Sequence, residues 1–292
     1  MTLGEIFKKA LRESWAVPHF NFSNLETLKA IAEAARETKS PVMVGTSEGE
    51  RKFVGLPEAV ALVKSFRGEG IMIFLNADHT KSVQAAKKAV DAGYDSIHID
   101  LSALPLEENI RGTKEIVEYT KYKIQDTNYR ISVEGELGYL RGESQVRSEK
   151  VAVKPEDYTK PEEAVDFVKK TGVDRLAVAV GNVHGITLDE PALDIERIKK
   201  IRAAVSPEVT LVLHAGSGIP DKDIKAAISA GISNIHISTE LRAEFRGELE
   251  KSLHKKGEPE YAPYKIMEPV VEAIKQKAIE KIKLFGSAGR AQ

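Results

Sequence analysis

Eight short runs rich in Val and Ile recur along the chain, with helix-period segments between them, and this alternation constrains the fold more than any other feature. The runs cover 16–21, 42–46, 71–75, 96–101, 130–136, 175–181, 210–214 and 234–238. After the first run Leu25, Leu28, Ile31 and Ala32 return at steps of three and four. After the third run Val83, Ala86, Ala89 and Val90 do the same. Helix starts are signalled at 157–161, at Ser206-Pro207 and at Pro220-Asp221. If eight strand–helix units share the 292 residues, each takes about 36. That rhythm predicts an α/β fold, one (β/α)8 barrel domain over 1–292. Met267, Val270, Val271, Ile274 and Ala278 then mark a C-terminal helical extension, packed on the barrel exterior or on a neighbouring subunit. One stretch, 138–160, is long, polar and aperiodic, which predicts a functional loop.

Composition narrows the function classes. The net charge of -1 gives no electrostatic footprint for nucleic acid or an anionic membrane. With no cysteine, disulfides, thiolate metal sites and a cysteine nucleophile are excluded, and a cytoplasmic location fits. The opening MTLGEIFKKALRES is amphipathic and carries no apolar core, so no signal peptide is expected. No apolar run approaches a membrane span.

In a barrel of this kind the chemistry gathers at the C-terminal ends of the strands, so each run is read by what it ends on. The first ends on Asn21 and the third leads to Asp78-His79. The fifth carries Glu134 and Glu136. The sixth reaches His184-Gly185, the seventh ends on His214, and the eighth carries His236, Ser238 and then Thr239. Four of the seven histidines fall at these ends. His79, His184 and His214 lie too far apart for a zinc finger, but a barrel brings distant strand ends together. Three imidazoles with an open position suit a catalytic metal. Glu136 is a fourth ligand or a partner behind the ligands. Asp78, beside a ligand, can move a proton to or from a substrate hydroxyl. Its competing reading is a helix N-cap, a task Thr80 or Ser82 can take instead. The run His214-Ala215-Gly216-Ser217-Gly218 reads equally as a phosphate cradle or as a tight turn into the helix at Pro220.

These motifs together resemble the class II, zinc-dependent ketose-bisphosphate aldolases. The likeness rests on AVPHFNFSNLETLKAI, ADHTKS, VEGELG, AVAVGNVHG, LVLHAGSGIPD, STELR and KIKLFGSAG, in that order over nearly the whole chain. The resemblance implies reversible cleavage of a ketose 1,6-bisphosphate, fructose 1,6-bisphosphate first and tagatose bisphosphate as the alternative, through a zinc-stabilised enediolate. It implies zinc on His79, His184 and His214 with Glu136 as a fourth or alternative ligand. Asp78 becomes the acid/base at the C4 hydroxyl and Asn21 a substrate contact. Gly185, Ala215, Ser217 and Thr239 fall where the family binds phosphate, with a monovalent cation (Na+ or K+) nearby. Family members are homodimers or homotetramers, and a sugar phosphate is the expected partner. The loop GYLRGESQVRSE offers Glu143 as the second base, one place before the usual position at Ser144, with Glu149 in reserve. The eighth run departs from the family: His236 stands where Asn is usual and Ser238 where Asp is usual, both at substrate-binding positions. Three other readings compete. A metal-dependent isomerase or hydrolase could use the same residues. A Schiff-base aldolase needs a strand lysine that the sixth run, RLAVAV, lacks. A catalytically inactive barrel remains the non-enzymatic choice.

Overall fold

The computed structural model describes residues 1–123, 130–138, 140, 142–146, 153–186, 193–254 and 259–291, and for 142–144 and 155 the backbone alone. Strands β1 (Val17–Asn21), β2 (Val42–Thr46), β3 (Ile73–Thr80), β4 (Ser96–Ile99) and β5 (Ser132–Leu137) form the first part of the barrel wall. The wall is completed by β7 (Arg175–Val178), β9 (Thr210–Leu213) and β10 (Ile232–Ile237). It closes in the order β1-β10-β9-β7-β5-β4-β3-β2, and its neighbouring strands all pair in parallel. Every expected run became a barrel strand, with ends that coincide or shift by up to five residues.

The largest shift is in the third. Its apolar pattern ends at Leu75, yet β3 continues through Asp78 and His79 to Thr80. The ladder persists because backbone pairing does not need apolar side chains when the polar ones face an enclosed interior.

Outside the wall lie α1 (Leu3–Arg12), α2 (Leu25–Thr38), α3 (Glu48–Val54), α4 (Leu56–Gly68), α5 (Val83–Ala92) and α6 (Leu106–Lys123). They are followed by α7 (Pro161–Thr171), α8 (Ile195–Ala204), α9 (Asp221–Ser229), α10 (Thr239–Leu253) and α11 (Pro263–Leu284). Ser82 caps α5, its hydroxyl accepting from Ala85 N at 3.2 Å. Asp78 is thereby free of the capping task. Two of the three start signals precede helices, α7 and α9; Ser206-Pro207 instead follows α8 and leads into β9. There Glu208 N donates to Ser206 Oγ at 3.3 Å, making a turn. The extension α11 buries Val270, Ile274 and Ala278 and packs on α2 and α10, so it covers the barrel exterior. Among the described residues no helix is long and apolar enough to cross a membrane.

The stretch expected as an aperiodic loop contains a strand, β6 (Gly142–Val146), parallel to β8 (His184–Ile186). Gly142 is the register partner of His184. The loop is thus tied by backbone pairing to the segment that delivers a candidate metal ligand. Backbone hydrogen bonding of this kind leaves no periodicity signature in two short, polar pieces.

The N-terminal end of the barrel is closed by α1. Its capping box, Thr2 with Glu5, starts the helix. Leu3, Ile6, Phe7 and Ala10 then pack on Trp15, Val17 and Met43. The C-terminal end is open and polar.

Candidate metal and active site

Adjacent strand residues point to opposite faces, so Asp78 and His79 should not share a site. A β-bulge resolves this. Ala77 pairs with Ile97 and Thr80 with Ile99, so Asp78 and His79 together oppose the single residue His98. His79 adopts a left-handed φ of 41°, rare for a side-chain-bearing residue. Its N–H donates to His98 Nδ1 at 3.1 Å. The buried Arg51 guanidinium steadies the bulge, donating to the Asp78 carbonyl at 3.1 Å and to Thr80 Oγ1 at 3.0 Å.

A cavity of about 510 Å³ opens at this end. It is lined by Asn21, Asp78, His79, Glu136, His184, Gly185, His214, Ala215, Ser217, His236, Ser238 and Thr239, together with Asp100, Ser102, Lys81 and Arg242 among others. The fold therefore brings together every candidate site residue named from the sequence apart from the two candidates for the second base, Glu143 and Glu149. The side chain of Glu143, and all of Glu149, lie outside the described residues.

The three candidate zinc ligands surround a common space unevenly. Ring centroids are 4.9 Å apart for His79 and His184, 4.7 Å for His79 and His214, and 6.5 Å for His184 and His214. With Zn–N bonds of 2.0–2.1 Å, imidazoles sharing a tetrahedral zinc have centroids about 5 Å apart. The trio fits on two sides and is open on the His184–His214 side.

The chemistry of the donors fits a metal well. His79 Nδ1 lies 2.9 Å from Asp100 Oδ2, and a proton donated there leaves the Nε2 lone pair for an ion. His214 Nε2 lies 2.6 Å from Glu134 Oε1, which leaves Nδ1. Burial and the nearby His79 push the His184 pKa down to about 3. Burial and His98 hold His214 well below the ordinary histidine range, so both carry free lone pairs at neutral pH. For His79 burial opposes the charge, but Asp78 and Asp100 raise its pKa.

Carboxylates complete the cluster. Asn21 Nδ2 donates to Asp78 Oδ2 at 2.9 Å and to Glu50 Oε2 at 3.0 Å. Burial works against the Asp78 charge, yet His79, His236 and His98 hold its pKa well below the usual carboxylate range. Glu136 moves the other way: burial and Asp100 raise it. Its Oε1 accepts from Ser102 Oγ at 3.1 Å, while Oε2 stands 3.2 Å from His98 Nε2 without a well-aligned hydrogen bond. Among the described residues nine buried side-chain polar atoms lack a hydrogen-bond partner. All but Trp15 Nε1 belong to His19, Asp78, His98, Glu134, Glu136, His236 and Ser238. Unsatisfied buried atoms are rare and costly, and their concentration at one place marks a site built for a ligand or ion.

The glycine-rich run after β9 forms the expected tight turn into the next helix. Pro220 leads into α9, and Ala215 takes a left-handed φ of 55°. Gly216 N donates to His236 O at 2.9 Å and Gly218 N to Glu240 Oε1 at 2.8 Å, so those two amides are committed. Ser217 Oγ accepts from the amides of Ser238 and Glu240 at 3.3 Å each, joining this run to the start of α10.

Reading strand ends alone missed several residues of this cluster. His19, Asn76, His98 and Arg175 are fully buried inside the barrel. Arg175 lies 2.5 Å from Glu134 Oε2 and donates to Asn234 Oδ1 at 3.0 Å, Asn76 Oδ1 at 3.3 Å and Ser132 Oγ at 3.2 Å. Asn182 Nδ2 donates to the His214 carbonyl at 3.0 Å. A usable signal existed: polar residues recur at period two in His19/Asn21, Asn76/Asp78, Ser96/His98/Asp100, Ser132/Glu134/Glu136 and Asn234/His236/Ser238. In a closed barrel that spacing puts each set on one face.

A closed parallel barrel with histidines and carboxylates converging at its C-terminal mouth defines a metal-dependent (β/α)8-barrel enzyme. Residues 1–290 match the family described as fructose-bisphosphate aldolase class-II, and the chain belongs to that family. It is 39% identical over 297 residues to fructose-bisphosphate aldolase of Geobacillus stearothermophilus, covering 100% of this chain and 98% of that protein. It is 37% identical to the probable fructose-bisphosphate aldolase of Bacillus subtilis, covering 100% and 99%. Among solved structures, the YdjI aldolase from Escherichia coli K12 superposes with a TM-score of 0.82 at 34% identity, covering 100% of this chain and 99% of that one. The enzyme is therefore a class II aldolase, a carbon–carbon lyase.

Proposed function

We propose that the protein cleaves fructose 1,6-bisphosphate reversibly to dihydroxyacetone phosphate and glyceraldehyde 3-phosphate. The observation that carries this reading is the convergence of Asp78, His79, His184 and His214 on one cavity. The names of the relatives at 36–39% identity support the substrate. His79, His184 and His214 would hold zinc, with Glu136 in reach as a further ligand. When bound, the metal supplies Lewis-acid stabilisation of the enediolate left as the C3–C4 bond breaks.

The residues of the chain do the rest. Asp78 is ionised at neutral pH and anchored through Oδ2 by Asn21, which leaves Oδ1 to take the C4 hydroxyl proton. In the condensation direction the same oxygen returns it. The C3–C4 bonding pair stays on the dihydroxyacetone phosphate fragment, and the C4 carbon leaves as the aldehyde. Glu143 is the proposed second base. The backbone of Ala215, Ser217 and Thr239, with Gly185, would receive the phosphate, and the N-terminus of α10 favours an anion there. A Na+ or K+ ion beside the phosphate, a cytoplasmic location and a homodimeric or homotetrameric state complete the proposal.

The test is a zinc-loaded activity panel on fructose 1,6-bisphosphate, tagatose 1,6-bisphosphate and fructose 1-phosphate, read by triose-phosphate release. Fructose 1,6-bisphosphate should be cleaved, EDTA should abolish turnover, and borohydride with substrate should leave it intact. Inactivation by borohydride together with indifference to chelators would overturn the metal mechanism. Preference for the tagatose epimer would correct the substrate, with His236 and Ser238 as the first residues to examine.

A further inference from the structure

His19 has no task in the chemistry above, yet three other strands are shaped around it. It sits on β1, fully buried, and stacks face to face on His236 of β10. Their ring centroids are 3.6 Å apart and their planes 7° from parallel. The two are register partners across the parallel β1–β10 pair, so the ladder itself builds the stack. On β3, Asn76 Nδ2 lies 3.1 Å from His19 Nε2. On β2, Gly45 provides the room: a Cβ there would sit 2.3 Å from His19 Cε1 and Nε2.

One nitrogen of each ring and one Asp78 oxygen lie within 4.8 Å of one another, which suggests a second metal site. The stack argues against it. Imidazoles on one zinc diverge to centroids about 5 Å apart, and two parallel rings at 3.6 Å cannot both aim their in-plane lone pairs at one ion. What the stack does is restrict the ring plane of His236. On another side His214 packs on it with centroids 3.9 Å apart. Held in this way, His236 places Nδ1 3.4 Å from Asp78 Oδ1. Among the described residues its Nε2 has no hydrogen-bond partner, and the residue lines the cavity.

We propose that His19 is a positioning residue: by stacking on His236 it fixes that imidazole so that Nδ1 addresses Asp78 and Nε2 makes a hydrogen bond to substrate. The proposal rests on the reading of the cavity as a ketose-phosphate site. The experiment compares His19→Ala, His19→Phe and Gly45→Ala, each with the zinc-loaded full chain, by kcat, KM and bound zinc. His19→Ala is also made in a His236→Ala background.

Misorientation of a substrate-contacting group acts on the transition state more than on ground-state binding. His19→Ala should therefore lower kcat about tenfold, with KM and zinc content near wild type. His19→Phe keeps a flat ring and should recover most of the loss. Gly45→Ala displaces the His19 ring and should reproduce His19→Ala. In the His236→Ala background, removing His19 should add less than about twofold. Equal losses for Ala and Phe at position 19, or an undiminished His19→Ala effect without His236, would overturn the proposal. If the wild type cleaves no ketose bisphosphate, the functional reading fails separately. The stack is then read from histidine 15N spectra of the zinc-bound protein. His19→Ala must shift the His236 ring nitrogens, and unchanged signals would refute the stack's role.

Discussion

At the N-terminal end of the barrel, α1 lays Leu3, Ile6, Phe7 and Ala10 on Trp15, Val17 and Met43. At the other end the barrel presents His79, His98, His214, His236, Asp78 and Glu136, and among the described residues most of the unsatisfied buried polar atoms gather there. Between the two lies Arg175, with its guanidinium 5.6 Å from the Phe7 ring on one side and Glu134 on the other. Arg175 is as buried as any of the mouth residues. Its donors, however, meet Glu134, Asn234, Asn76, Ser96 and Ser132. Burial of charge is therefore not what distinguishes the site. Satisfaction is: Arg175 finds partners through Nε and both terminal nitrogens, whereas Asp78, His98, Glu136, His236 and Ser238 each keep a buried polar atom with no hydrogen-bond partner among the described residues.

The largest expected effects come from the mouth. Asp78→Ala should keep zinc and lose about 10²–10⁴ in turnover, the usual range for a positioned acid/base. His214→Ala should lose the zinc itself. Metal analysis beside kcat separates the two, and full activity in Asp78→Ala would remove Asp78 from the mechanism. Next comes the middle layer. Arg175→Met leaves the Glu134 carboxylate buried without its cation, at a cost of about 3–5 kcal/mol in a urea titration. It should also weaken zinc binding, because Glu134 orients His214. Stability equal to wild type would show that the layer is dispensable.

At the closed end, Phe7→Ala should cost about 3 kcal/mol as a core cavity and leave kcat and KM at 25 °C within twofold. A large loss of activity there would mean that the two ends are coupled.

The smallest effect is graded with pH in the metal-free protein. His19, His184, His214 and His236 have folded pKa values below that of the unfolded chain, with His184 and His236 at about 3. The unfolded state then binds more protons below about pH 6.5, and stability falls as pH drops from there toward 3. His79 and His98, whose values are raised, pull in the opposite direction, and the depressed Asp78 adds its loss only below about pH 4. The urea midpoint should be lower at pH 5 than at pH 7.5. A rise on acidification would reverse the balance.

The barrel could be read from the chain because its information is local. Each apolar run and each helix-period segment expresses its own preference, and eight of them in alternation leave few alternatives. The strand-end residues Asn21, Asp78, His79, His184, His214 and His236 were legible for the same reason: they stand where apolar patterning stops. Composition alone also removed cysteine chemistry. Other features depended on pairing between distant strands. Asp78 and His79 share a mouth only because a bulge sets them both opposite His98. Asn21 holds Asp78 across 57 residues of sequence. His184 is tied to a strand inside what reads as a loop. His19 meets His236 only when β10 closes on β1. Register, bulges and closure decide which polar side chains face inward and which of them find partners, and those are properties of the assembled sheet rather than of any one segment.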